Sequence, residues 1–224
     1  MKMQLKHLFR AGFRHYLKAN FWVALGVAVS TAVLTGGLVV GDSVRYSLRQ
    51  GVEARLGEIT HAIVSGERFF TQDLAERLND RGLSASAALN VSGMASIDGG
   101  RLALNQVTVW GLDDRFADVS GANIHFDDPN SVYVSENTAL RLNLNAGDEL
   151  LLRIEKGSLL PANAPFVSAE NQTNSQRFTV AQILTSEQLS RLNLQNAQTA
   201  PYNIFLPIAT LNQLSEMDAR ANVL

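Results

Sequence analysis

Between Lys18 and Asp42 run 23 residues without a formal charge, Ala19 to Gly41, and nothing else limits the fold of this 224-residue chain so strongly. At about 1.5 Å of rise per residue, roughly 20 helical residues cross a hydrocarbon core of about 30 Å. The run is long enough to span. A buried helix of a soluble domain rarely goes that far without one charge on its outer face. A cleavable signal peptide has an apolar stretch of about 7–15 residues and ends in an Ala-x-Ala-like site. Here the run is longer and leaves through Gly41-Asp42-Ser43-Val44-Arg45. The expectation is a membrane-spanning helix over 19–41.

The flanks give it a direction. Lys2, Lys6, Arg10, Arg14 and Lys18 precede the span with no acid among them, and the remaining 14 basic and 21 acidic residues leave 19–224 at -7. Positive charge concentrates on the cytoplasmic side of membrane helices, so the N-terminus is expected in the cytoplasm and everything after about 42 outside it. A basic head on a mildly acidic body suits an anionic lipid surface at one end and argues against nucleic acid as a partner. Phe21 and Trp22 fall at the cytoplasmic boundary, where aromatic rings favour the headgroup level.

Spacing adds detail. The five bases recur every four residues, and Leu5, Phe9, Phe13 and Leu17 keep the same interval, so residues 1–18 read as an amphipathic helix lying in the membrane interface. Within the span, Ala24, Ala28, Ala32 and Gly36 recur every four residues, and Gly37 with Gly41 forms a Gly-x-x-x-Gly pair. Small residues so placed let another membrane helix approach closely. The bland alternative is that Ala and Gly are common in membrane helices. Beyond the span, Val44, Leu48, Val52 and Leu56 continue an i, i+4 stripe, so 42–57 is expected to be a helical stalk stopped by Gly57.

Residues 58–224 read as a mixed α and β domain, giving an α+β chain as a whole. His61–Val64 is a short strand candidate. Thr71 with Asp73 can cap a helix to Asn79, stopped by Gly82. Segments 84–97 and 102–110 flank Asp98-Gly99-Gly100, a hairpin signal. Strands are expected at 132–134, 149–154, 178–184 and 203–206, and short helices at 136–142 and 209–216. Lys156 to Gln176 carries Pro161 and Pro165 and little periodicity, and reads as a long loop. The C-terminal Arg220-Ala221-Asn222-Val223-Leu224 reads as a strand just starting, so an exposed apolar edge is expected there, as in a truncated domain.

Tests for chemistry return mostly exclusions. Without cysteine, the chain has no thiolate metal site, disulfide or Cys nucleophile. Gly36 and Gly41 have Gly-x4-Gly spacing, but Asp42 stands where a phosphate-binding loop needs Lys. His7, His15, His61 and His125 show no paired metal spacing, which leaves surface or half-buried roles. Asp113-Asp114 and Asp127-Asp128 sit in turn-like contexts and read as structural. Gly41-Asp42-Ser43-Val44 resembles the nucleophile block of GDSL-type esterases, and Gly121-Ala122-Asn123 resembles their Gly-x-Asn block. No Asp lies three residues before any His, so Ser43 would lack its base. No catalytic, cofactor or metal-binding residue is assigned.

The order of motifs is similar to that of ABC transporter permeases of the MacB/FtsX type. A basic N-terminal helix is followed by one span leading into Gly41-Asp42-Ser43-Val44-Arg45, then Arg55-Leu56-Gly57. The stretch from Asn145 to Ile154 resembles the Gly-Asp-plus-apolar-strand element of their periplasmic core domain. Asn203 to Leu211 resembles its later strand, Pro and short helix. The resemblance implies a MacB-like periplasmic core domain over 58–224 and a place in the bacterial inner membrane. It also implies a partner ABC ATPase that hydrolyses ATP, and a substrate such as a lipoprotein, a peptide or a hydrophobic compound. Further permease helices or a second permease copy would then pack on Ala24, Ala28, Ala32, Gly36, Gly37 and Gly41. A single-pass anchored periplasmic binding or scaffold protein is the alternative.

Overall fold

The computed structural model describes residues 11–66, 68–155, 173–185, 188–194 and 199–224. Lys2, Lys6 and Arg10, and most of the loop expected from Lys156, lie outside these residues. The chain divides into two units, Met1–Gly51 and Val52–Leu224.

The longest element is helix α1, Leu17–Leu56, 40 residues without a break and with none of them buried. Residues 11–15 are helical as well, and Tyr16 links the two stretches, its N–H bonding to Gly12 O and its carbonyl accepting from Asn20. No break marks the boundaries expected at 18/19 or at 41/42. Five glycines inside α1 would each cost about 1 kcal/mol in water. In hydrocarbon the backbone has no water to bond to, and the helix is the one local way to satisfy it. α1 is long and apolar enough to cross a membrane.

The second unit is built on a closed barrel of six strands in the order β2-β3-β7-β4-β6-β5, with β5 pairing back to β2. The strands are β2 Ala88–Ile97, β3 Leu102–Leu112, β4 Ser131–Ser135, β5 Glu149–Glu155, β6 Thr173–Leu184 and β7 Asn203–Pro207. β3–β7 and β4–β6 pair in parallel, and the other neighbours are antiparallel. The hairpin expected at Asp98-Gly99-Gly100 forms, with both glycines at positive φ (67° and 97°), where a Cβ would be strained. Among the described residues, four short helices decorate the barrel: α2 Asp73–Asn79, α3 Phe116–Ser120, α4 Glu136–Leu142 and α5 Ile208–Leu214. α3 was not foreseen, because five residues are too few to show a period.

Strand alternation sorts the apolar residues into two cores. Leu89, Val109, Val134, Leu152, Val180, Ile204 and Leu206 meet in one, with Leu211 of α5 and Leu142 of α4. Their strand neighbours Ala88, Trp110 and Phe205 turn the other way, onto Phe116, Leu184 and Leu192. β7 is buried on both faces, which is why it reads as an unbroken apolar run.

Several expectations are corrected. β2 begins at Ala88 rather than 84, because the backbone N–H groups of Ala85 and Ala87 bond to the side chains of Asn79 and Asp113 instead of a ladder. Thr71 lies in a two-residue strand, β1 (Phe70–Thr71), and Gln72 precedes α2 without a side-chain cap. The loop expected to reach Gln176 ends earlier, where β6 starts at Thr173 and pairs with Glu155. His61–Val64 supplies only a bridge, Val64 to Val223.

The exposed C-terminal edge is also not found. Strand β8, Arg220–Ala221, pairs with β1, and Val223 bridges both Val64 and Ala88. Ile63 and Leu224 exchange both backbone bonds, at 2.8 and 3.0 Å. Asn222, 6% exposed, imitates a peptide group: its Oδ1 accepts from Asn90 N at 2.7 Å, and its Nδ2 donates to Asn90 O at 2.8 Å and Gly66 O at 3.2 Å. Asn222→Ala leaves those groups without their partner and is expected to cost about 3 kcal/mol. Urea unfolding of the 224-residue chain measures it, and a loss under about 1 kcal/mol would contradict this account.

Candidate functional site

A cleft of about 700 Å³ opens in the second unit. One of its walls is held by backbone pairing and two by side chains bonded to neighbouring segments. Ile59 to Ile63 form one wall, fixed at Ile63 by Leu224. Leu83 to Ser86 form a second. There the Asn79 amide takes Ala85 N at 3.0 Å and gives to Ala85 O at 2.8 Å, while Asp113 accepts from Ser86 Oγ at 2.5 Å. Leu192 and Leu194 form the third, positioned by Asn203, whose Nδ2 donates to Ser190 O at 3.0 Å and Leu192 O at 2.9 Å. Trp110 and Phe116 line the floor.

This surface is mainly apolar, and part of it faces water. Ile63 is 63% exposed and Leu83 58%. Trp110 is 2% exposed, and its indole N–H has no partner among the described residues. The charged side chains on the lining are Glu58 and Asp118, both exposed, with His61 bonded through Nδ1 to Thr60 Oγ1 at 3.0 Å. Among the described residues, no Lys or Arg lines the cleft.

Beside the cleft lies a tight joint. Gly57 follows α1 at φ +57°, and Glu58 N donates to Ser120 O at 3.0 Å. A Cβ on Gly57 would stand 2.4 Å from that oxygen. Across the joint Gly121, at φ +71°, faces the Glu58 side chain, which would come within 3.0 Å of a Cβ there. Backbone oxygen therefore leaves no room for a side chain at Gly57, and the Glu58 side chain lies beside Gly121, the residue that ends α3, the helix that carries Asp118. A more polar cavity of about 560 Å³ lies elsewhere on the barrel, flanked by an exposed pair, Arg177 to Glu149 at 3.5 Å. Such exposed pairs contribute little.

The residues expected from sequence to pack on other membrane helices or to rest on the membrane surface are placed as follows. Ala24, Ala28, Ala32, Gly36, Gly37 and Gly41 all lie on α1 and are all exposed, and a Cβ at Gly36, Gly37 or Gly41 would meet nothing within 4 Å. Arg14 and Lys18 lie one helical turn apart on either side of Tyr16, both exposed. Ser43 lies inside α1, where the strand-to-helix turn that presents a GDSL-type nucleophile does not exist. Asp128 closes a turn, accepting from Asn130 N at 2.9 Å. Tyr133, which donates to His125 O, has its pKa raised above 10.0 by burial first and by nearby Asp127 second, with that hydrogen bond opposing.

The cleft itself was missed from sequence. It is assembled from segments far apart in the chain, and its lining has no motif. The unpaired signals were the isolated Leu83 between polar residues and the apolar C-terminus.

A family model described as MacB-like periplasmic core domain matches residues 21–223. Among curated proteins, none matches the chain. Three solved structures are similar at low identity. The periplasmic region of MacB from Actinobacillus actinomycetemcomitans is 12% identical, with a TM-score of 0.46, over 77% of this chain and 75% of that one. The extracellular domain of the noncanonic ABC-type transporter YknZ from Gram-positive bacteria is 12% identical, with a TM-score of 0.40, over 73% and 81%. A domain of a putative permease protein from Porphyromonas gingivalis is 15% identical, with a TM-score of 0.38, over 72% and 65%.

Proposed function

We propose a function from one premise: this chain belongs to the family of MacB-like periplasmic core domains. On that premise it is the N-terminal part of an ABC transporter permease subunit, a component of a transporter and not an enzyme. A partner ATPase hydrolyses ATP in the cytoplasm, and the permease passes the resulting motion to the outer domain for export or extraction of a substrate. The observation that carries this reading is that one family match, 21–223, joins the barrel unit to an apolar helix of which the protein buries no residue. A helix apolar over such a length needs lipid or other helices to cover it.

The remaining assignments follow from the same reading. Residues 1–18, with Lys2, Lys6, Arg10, Arg14 and Lys18, rest on the cytoplasmic membrane surface, in keeping with the positive-inside rule. Residues 19–41 span, and 42–57 form the stalk. Ala24, Ala28, Ala32, Gly36, Gly37 and Gly41 offer a face on which a further permease helix or a second permease copy packs. The pairing of 222–224 with 63–65 supports an outer domain whose last residues return beside its first, as a domain inserted between membrane helices requires.

Affinity purification of the protein from its native membranes tests this reading. An ABC ATPase is expected to co-purify, and Ala28→Leu with Ala32→Leu is expected to lower its recovery severalfold by filling the small-residue face. Recovery of the protein without any ATPase, or with recovery unchanged in the double variant, would sink the corresponding part of the reading.

A further inference from the structure

We propose that the cleft at Trp110 binds a small organic cation with an apolar body. Its volume of about 700 Å³ falls in the range of sites for drug-sized molecules, roughly 300–1,000 Å³. Ile59, Ile63, Leu83, Leu192, Leu194 and Trp110 supply the apolar contact, and Ile63 and Leu83 are left largely to water without a ligand. A monomeric surface seldom leaves large apolar side chains clustered in this way without a use.

Charge selects among apolar ligands. Glu58 and Asp118, both exposed, are the carboxylates on the lining, and among the described residues no Lys or Arg lines the cleft to offset them. The Glu58 side chain lies beside Gly121, which ends α3, and Asp118 belongs to that helix. A cation lodged at the rim meets two carboxylates, and an anion of the same shape is repelled by both. The polar groups that remain, among them Ser84, Ser86 and Thr60, can accept hydrogen bonds from an ammonium group. The inference rests on the permease reading only for what the bound cation is for, namely as a transported or sensed substrate.

The test reads binding directly in the full chain, reconstituted in lipid nanodiscs. The protein has two tryptophans, so Trp22→Phe leaves Trp110 as the sole reporter. Tetraphenylphosphonium and tetraphenylborate are nearly the same shape with opposite charge. A saturable change in Trp110 emission is expected with the phosphonium, at an affinity about tenfold above that for the borate. Glu58→Gln with Asp118→Asn, both exposed positions that keep the fold, is expected to erase that preference. Leu83→Ser is expected to weaken both ions. Empty nanodiscs measure the partition of each ion into lipid, which differs between the two and is subtracted before their affinities are compared. No saturable response from folded protein, equal affinity for the two ions, or a preference that survives the double variant overturns the proposal. Failure to co-purify an ATPase with cation binding intact overturns the permease reading alone, and the reverse pattern overturns the cleft alone.

Discussion

Replacing Asn203 by aspartate is expected to destabilise the barrel unit by about 4 kcal/mol at neutral pH. Asn203 is fully buried at the start of β7. Its Nδ2 donates to the carbonyls of Ser190 and Leu192, while its own carbonyl accepts from the hydroxyls of Ser135 and Thr138 and its N–H reaches Ser135 Oγ at 3.0 Å. A carboxyl group in that place cannot donate twice. When ionised it points charge at two carbonyl oxygens with no water to screen it. The new group therefore holds its proton, with a folded pKa above the unfolded value of about 3.9.

The sign of the pH dependence follows. Below about pH 4 both states are protonated and only the lost hydrogen bonds count. As pH rises the unfolded chain ionises first, so the penalty grows until the folded group ionises too. Urea unfolding at pH 5 and pH 8 reads the difference. Asn203→Ala loses the bonds without the charge and is expected to show a smaller cost with no added pH slope. An Asn203→Asp protein with the parent's pH dependence would show that the site admits water. Because the Asn203 amide holds Leu192, both variants are also expected to weaken cation binding at the cleft.

The second large effect is expected at Gly57. Gly57→Val places a β-branched side chain in the left-handed region, which costs roughly 1–2 kcal/mol or more for any L-residue. Its Cβ would also sit 2.4 Å from Ser120 O and 3.0 Å from Leu189 Cδ2. One neighbour is backbone and cannot swing aside, so the hydrogen bond from Glu58 N to Ser120 O has to break. A total near 4 kcal/mol is expected, concentrated at the joint. Amide exchange at Glu58 and Gly121 should speed up well before the barrel strands lose protection. Unchanged exchange at Glu58 would mean that the joint does not depend on the bond at all.

How much of this was legible in the sequence depends on the range of the interactions. The hairpin at Gly99 and Gly100 was, because two adjacent glycines at positive φ are a local requirement. Helix α4 and strand β5 were too, since their periods are carried by a few neighbouring residues. The beginning of β2 was misjudged by four residues, because Asn79 and Asp113 take backbone groups that a ladder would otherwise use. The ending of the chain was misjudged for the same kind of reason: Arg220 to Leu224 look like an unpartnered strand until β1, Val64 and Ala88 arrive to pair with them.

The sequence by itself determined the membrane-spanning candidate, the charge polarity across it and the mixed character of the domain that follows. Each of these is a sum over consecutive residues: an uncharged run, a count of bases, an alternation of period two. Tertiary structure alone decided that the strands close into a barrel and that β3 meets β7 and β4 meets β6 in parallel. It also decided that five separate segments leave a mainly apolar cleft with Glu58 and Asp118 on its lining. Those arrangements are set by pairings between residues far apart in the chain, where burial and hydrogen-bond satisfaction are shared among segments and no one segment carries a record of its partner.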